Sequence, residues 1–308
     1  MNFADQLIAG IKQKKTPLVV GIDPKLEQLP SPIRDQVTVG SSDFYQQTAK
    51  AFLDFSKEVI DVVASRVCAI KPQMAFFEAL GPHGMVALHQ VIHHAQSRQL
   101  LVILDGKRND IGSTAEAYAA AYLGRDGKSP WGADALTVNP WMGRDSLEPF
   151  VTAATKHGCG LFVLVKTSNP GSEDYQALKS DSRPVYELVA ADVEALAIRT
   201  AGSSAYGSVG AVVGATYPEQ LAELRQKTPH TLFLIPGFGA QGGKASDVAS
   251  AFDSRGLGSI VNSSRAIIFA QASAKYKHLP PMDWQRAVEL ATIDSIEQLR
   301  NDTPAGKL

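Results

Sequence analysis

The sequence predicts a (β/α)8 barrel of the α/β class from eight short apolar runs, helix-length amphipathic spacers between them, and polar residues gathered where the runs end. The runs are LVVGID (18–23), VCAIKP (67–72), LLVILD (100–105), ALTVN (135–139), LFVLVKT (161–167), AVVGAT (211–216), LFLIPG (232–237) and SIVNSS (259–264). Nearly uninterrupted apolar runs are what parallel strands need when both faces are covered. The spacers, such as FYQQTAKAFLDFSKEVIDVV, carry helical periodicity. Eight alternations favour a closed barrel, with a doubly wound sheet as the alternative. At 308 residues and 44% hydrophobic, the chain can bury one barrel-sized core. The expectation is a single domain over 1–308, with an N-terminal helix over 2–14 and a C-terminal helical tail from about Asp283 packed on it.

Four stretches exceed the minimal scheme: PKLEQLPSPIRDQ, GRDGKSPWG (124–132), SNPGSEDYQALKSDSRP (168–184) and the tail. Loops of this length are uncommon without a purpose, so each is a lid or interface candidate, with dimer contacts the guess for 124–132.

Charge and cysteine content exclude several classes. The 30 basic and 31 acidic residues nearly cancel, and no basic cluster is longer than KQKK, so neither nucleic acid nor another polyanion is an expected partner. Only Cys68 and Cys159 are present, both in apolar stretches, which argues against a disulfide framework and a cysteine-based metal site. The segment MNFADQLIAGIKQKK lacks a signal-type apolar core, and no apolar run approaches membrane-span length. These features fit a soluble cytoplasmic protein acting on a small molecule. His89 and His93 stand four residues apart, but no neighbouring Glu or Cys completes a zinc motif, so they read as solvated helix residues. No nucleophile elbow, P-loop or dinucleotide fingerprint occurs.

In parallel barrels ligands bind at the carboxyl ends of the strands. Here those ends carry Asp23; Lys71 and Gln73; Asp105, Lys107 and Asp110; Asn139; Lys166, Thr167 and Ser168; Pro236 with GFGAQGGK; and Ser263, Ser264 and Arg265. Any one has an ordinary explanation: Asp23 and Asn139 precede prolines and suit turns, Lys166 can be a solvated charge, and Arg265 can open a surface helix. Seven on one rim point to a site.

The densest charge alternation is LLVILDGKRNDIG (100–112). Strand side chains alternate, so Asp105 and Lys107 face the barrel mouth while Gly106 and Arg108 face away. Asp110 lies past the strand end, within reach of the same site or a neighbouring subunit's. Nearby carboxylates favour the charged form of an ammonium, each contact at about 4 Å being worth roughly 4 kcal/mol before desolvation. Lys107 therefore suits the role of a fixed proton donor to an atom that becomes negative during reaction. PGFGAQGGK and NSSR follow the seventh and eighth strands, where barrels often bind phosphate. Glycine-exposed N–H groups, a helix N-terminus and the Arg265 fork all suit a dianion.

With VGIDP, IKPQMAFFE, LDGKRNDIGST, VKTSNPG, PGFGAQGG and NSSRAII in order from Gly21 to Ile268, the chain resembles the orotidine 5'-monophosphate decarboxylase family, in its longer bacterial branch (type 2). The resemblance implies a cofactor-independent and metal-independent decarboxylation of orotidine 5'-monophosphate to UMP, the last step of UMP synthesis. Lys107 would protonate C6 of the pyrimidine. Asp105 would lie near the substrate carboxylate and hold Lys107. Asp110 would come from the partner subunit of a homodimer, with Ile111 and Thr114 beside it. Asp23 and Lys71 would bind the ribose, helped by Gln73, and Ser168 after Thr167 would read the pyrimidine edge. Pro236 and Gln241 belong to a closing loop, with Gln241 bridging base and phosphate, and Arg265 with the Ser264 backbone would hold the phosphate. The compact branch has Gly where this chain has Ser264. Two rivals share the scaffold: an Mg²⁺-dependent sugar-phosphate decarboxylase, disfavoured because no Glu adjoins the Asp-x-Lys-x-x-Asp element, and a Schiff-base aldolase using Lys166. A phosphate-ligand binding module is the non-enzyme alternative.

Overall fold

A computed structural model describes residues 1–239 and 244–308. Eight parallel strands close into a barrel: β1 Leu18–Ile22, β2 Ala69–Pro72, β3 Leu101–Arg108, β4 Ala135–Val138, β5 Gly160–Lys166, β6 Val209–Val213, β7 Phe233–Ile235 and β8 Ser259–Ser263. Each pairs with its neighbour in the chain, and the ring closes where Leu18 and Val20 of β1 face Val261 and Ser263 of β8.

The alternation along each strand divides the core in two. Outward residues such as Val20, Ile70, Val102, Leu136, Val163 and Val261 pack under the surrounding helices. Inward residues such as Val19, Ala69, Ile103, Ala135, Phe162, Leu234 and Ile260 fill the lower barrel together with Phe3, Leu7, Ile8 and Ile11 of the helix Phe3–Lys14. That helix is capped by Asn2, whose side chain accepts from the Asp5 N–H at 2.9 Å, and it closes the N-terminal face of the ring. Phe3 reaches so far in that a Cβ on Gly160 would stand 2.1 Å from its ring, so only glycine fits there. Backbone N–H groups of Ser203 and Ser204 hold the Asp5 carboxylate, at 3.0 and 2.8 Å. Burial alone would raise its pKa, but these hydrogen bonds bring it down to about 2. At the other end of the chain, the helix Trp284–Asp302 lies against Phe44–Val63, with Phe55 between Phe269 and Trp284.

Two expectations change. The crossover between β7 and β8 carries a 3-10 segment, Ala245–Ala251, instead of an α-helix. Small and side-chain-bonding residues dominate it, and the Asp247 carboxylate takes the Lys244 N–H, competition that weakens regular helix. The stretch 124–132 is no lid, because it folds against the N-terminal ends of the strands. Arg125 donates to Leu100 O and to Asp134, Gln96 donates to Gly132 O, and Trp131 packs on Tyr122 and His89. His89 and His93 approach each other at 3.0 Å on the helix Gly81–Ser97. Cys68 and Cys159 are buried and free, and burial pushes both thiols up to about 12. Among the described residues no helix is long and apolar enough to cross a membrane.

Candidate active site

The inward side chains turn polar at the carboxyl ends of β1, β2, β3 and β8, around a cavity of about 230 Å³ lined by Asp23, Lys71, Asp105, Lys107, Asn262 and Arg265, with Gln73, Pro236, Phe238 and Ser264 completing the wall. Its centre is the Asp105 carboxylate, 7% exposed. One oxygen accepts from Lys107 Nζ at 2.6 Å and from the Thr137 hydroxyl at 2.9 Å. The other accepts from Lys71 Nζ at 2.6 Å and from Gln73 Nε2 at 3.1 Å. Burial opposes its ionisation, yet the charges of Lys71 and then Lys107 hold it far below the usual carboxylate range. Lys71, 4% exposed, shows the converse: against burial, Asp105 and then Asp23 raise its pKa.

Lys107 occupies the left-handed region at φ 47°, unusual for a residue with a Cβ. The pairing of β3 with β4 slips between Leu104 and Arg108, and this bulge aims Lys107 and Asp105 together into the cavity while Arg108 turns away toward Glu78 and Tyr122. The strain, about 1–3 kcal/mol for such a backbone, is held by one hydroxyl. Thr137 Oγ1 accepts the Lys107 N–H at 2.9 Å while donating to Asp105.

On the opposite wall, Asp23 Oδ1 and Asn262 Oδ1 are buried with no hydrogen-bond partner among the described residues. Buried acceptors left open toward a cavity are suited to ligand hydroxyls. Asn262 donates to Ser264 Oγ at 3.1 Å, and that hydroxyl comes so close to β1 that a Cβ on Gly21 would stand 1.9 Å from it. Arg265 is exposed at the cavity edge, and among the described residues no carboxylate pairs with it.

The structure thus gathers Asp23, Lys71, Gln73, Asp105, Lys107, Pro236, Ser264 and Arg265 around one cavity. Thr167 and Ser168 are not among the residues that line it; the Thr167 hydroxyl is engaged by Asn169 and Gln176. Asp110, Ile111 and Thr114 lie on the outer rim, Ile111 and Thr114 exposed. Gln241 falls outside the described residues. Lys166 is turned out of the barrel onto Glu173, away from where an inward Schiff-base lysine would stand. Thr137 and Asn262 were missed as site residues, although each follows an inward-facing neighbour by two positions, Ala135 and Ile260, and strand parity identifies them. Among the described residues no group of three His, Cys, Asp or Glu side chains is placed to hold a metal ion.

Comparison with known proteins gives a consistent picture. Residues 16–277 match the sequence model of the family described as orotidine 5'-phosphate decarboxylase / HUMPS. The orotidine 5'-phosphate decarboxylase of Rhodopirellula baltica is 53% identical over 303 residues, 97% of this chain and 99% of that protein. That of Caldicellulosiruptor bescii is 39% identical over 304 residues, covering 97% and 98%. The solved structure of Leishmania donovani OMP decarboxylase superposes with a TM-score of 0.73 at 31% identity, over 98% of each chain.

Proposed function

Since the chain belongs to the orotidine 5'-phosphate decarboxylase / HUMPS family, we propose that it converts orotidine 5'-monophosphate to UMP and carbon dioxide in pyrimidine synthesis. The observation that carries this reading is the Lys71–Asp105–Lys107 chain of 2.6 Å contacts at the cavity floor.

When the carboxylate leaves as carbon dioxide, its bonding electron pair remains on C6, where the ring cannot delocalise it. A fixed ammonium lowers the energy of that anion without reorganisation, which is the efficient form of electrostatic catalysis. The Lys107 Nζ–H proton then passes to C6, giving UMP, and water restores the proton to Lys107. Asp105 holds the ammonium in place and adjoins the departing carboxylate. The open acceptor on Asp23, with Lys71, suits the ribose hydroxyls, and that on Asn262 a further ligand donor. Arg265 and the Ser264 backbone suit the 5'-phosphate, a charge-assisted contact remote from the reacting carbon whose binding energy can be used to stabilise the transition state.

Asp110, Ile111 and Thr114, all outside the cavity of one chain and the last two exposed, fit a homodimer in which Asp110 of the partner subunit completes the array around Lys107. The packing of the first and last helices on the barrel supports one domain over 1–308. Balanced charge and two buried thiols suit the cytoplasm.

The test follows the ultraviolet absorbance of orotidine 5'-monophosphate with purified protein in EDTA. The parent should convert it without metal, and Lys107→Ala should lose at least about 10²-fold in kcat/KM, the lower end for a general acid. An inert parent, or a variant of unchanged activity, would refute the assignment.

A further inference from the structure

Lys166 is the largest polar side chain in the interior that the reaction above does not use. Between Leu164 and Lys166 the register with β6 slips: Leu164 faces Val212, and Lys166 faces Val213. The bulge turns Lys166 outward, where its side chain is 2% exposed. Its ammonium donates to Glu173 Oε1 at 2.6 Å and Ser172 Oγ at 3.0 Å, and lies 5.6 and 5.3 Å from the ring centroids of Tyr186 and Tyr217. Ser172 and Glu173 belong to the inserted stretch 168–184, Tyr186 to the helix Val185–Arg199, and Tyr217 precedes the helix Pro218–Lys227. A buried ammonium is tolerated only when paired. The strand end therefore draws the insertion down onto itself.

Thr167 and Ser168 lie inside that fastening. The Thr167 N–H donates to Gln176 Oε1 and its hydroxyl accepts from Gln176 Nε2, both at 2.9 Å, so a second residue of the insertion grips the same turn. Gly214 presses from the β6 side, where a Cβ would stand 3.0 Å from Ser168 N and Cβ, and Thr216 Oγ1 donates to Ser168 O at 3.4 Å. None of these contacts touches the Asp105 network or the Arg265 end, which lies three strands further round the ring.

We propose that Lys166 is a positioning residue: through Glu173 and Ser172 it fixes the insertion so that the Thr167–Ser168 turn is presented to the pyrimidine end of a bound nucleotide. This rests on the reading of Ser168 given above. It assigns the insertion 168–184 a part in base recognition and makes Lys166 selective for one half of the ligand. A lysine that merely held the fold together would affect both halves alike.

The experiment compares UMP with ribose 5-phosphate, which lacks the base, by calorimetric titration of the parent, Lys166→Met and Glu173→Gln. Glu173 is partly exposed, so its amide variant should fold even if Lys166→Met does not. In each folded variant UMP affinity should fall roughly tenfold, about 1.4 kcal/mol, while ribose 5-phosphate affinity stays within about twofold. Unchanged UMP binding, or equal losses on both ligands, would overturn the proposal. A parent that fails to bind UMP would instead overturn the functional assignment, and this inference with it.

Discussion

Replacing Asp105 by Asn tests the centre of the site most directly. The carboxylate faces two ammonium groups at 2.6 Å, on opposite oxygens, and is 7% exposed. An amide fills the same space but offers one acceptor and a donor, so one lysine must face an N–H in place of an oxygen. A unit pair about 4 Å apart is worth roughly 4 kcal/mol at an effective dielectric near 20, before desolvation is subtracted. Measured losses on removing one partner of a buried pair, about 3–5 kcal/mol, are the better guide because Lys71 remains buried. Urea unfolding at neutral pH should therefore show a midpoint lower by about 1 M or more, given slopes of about 3 kcal/mol/M for a chain of this size. Because the folded-state pKa of Asp105 is depressed, its contribution is fully present above the unfolded value near 3.9 and is lost as pH falls through the folded value. The stability gap between parent and variant should thus stay constant at neutral pH and narrow only in acid, below about pH 4. A gap under about 1 kcal/mol at pH 7, or one that does not narrow in acid, would refute the claim that this carboxylate is held by two charges.

Arg265→Ala should weaken UMP binding by about 1.5–3 kcal/mol, the range for hydrogen bonds to a charged group, and lower kcat/KM at least as much; calorimetry and steady-state kinetics check both. Gly21→Ala should displace Ser264, whose hydroxyl would meet the new Cβ at 1.9 Å, and weaken phosphate binding more than it changes the unfolding midpoint. Thr137→Val should lower kcat more than UMP affinity, because it strips the hydroxyl that supports both Asp105 and the left-handed Lys107 backbone. Equal effects on both would make Thr137 a packing residue only.

The barrel was legible because each strand is covered on both faces and so must be written as a continuous apolar run, and because parity sorts Asp105 and Lys107 from Arg108. That parity survives the bulge in β3, although the bulge itself leaves no mark in the sequence. At β5 the same kind of slip defeats it: Lys166 reads as one of the strand-end polar residues, and only the pairing with β6 reveals that it points the other way. Thr137 and Asn262 were readable by counting in twos, but they are short and neutral and carry none of the charge that marks their neighbours on the rim. The lid candidacy of 124–132 failed for a different reason. A loop's length says nothing about which end of the barrel it serves, and here Arg125 anchors it beside the start of β3.

The helix Phe3–Lys14 bears on how the chain acquires its structure during synthesis. It precedes every barrel strand, yet the surface it seats on includes Phe162, Leu234 and Ile260, drawn from β5, β7 and β8. A ribosome delivers that helix long before most of its seat exists. Its apolar stripe therefore cannot be fully buried until about 260 residues have emerged, so final closure is an event of high contact order.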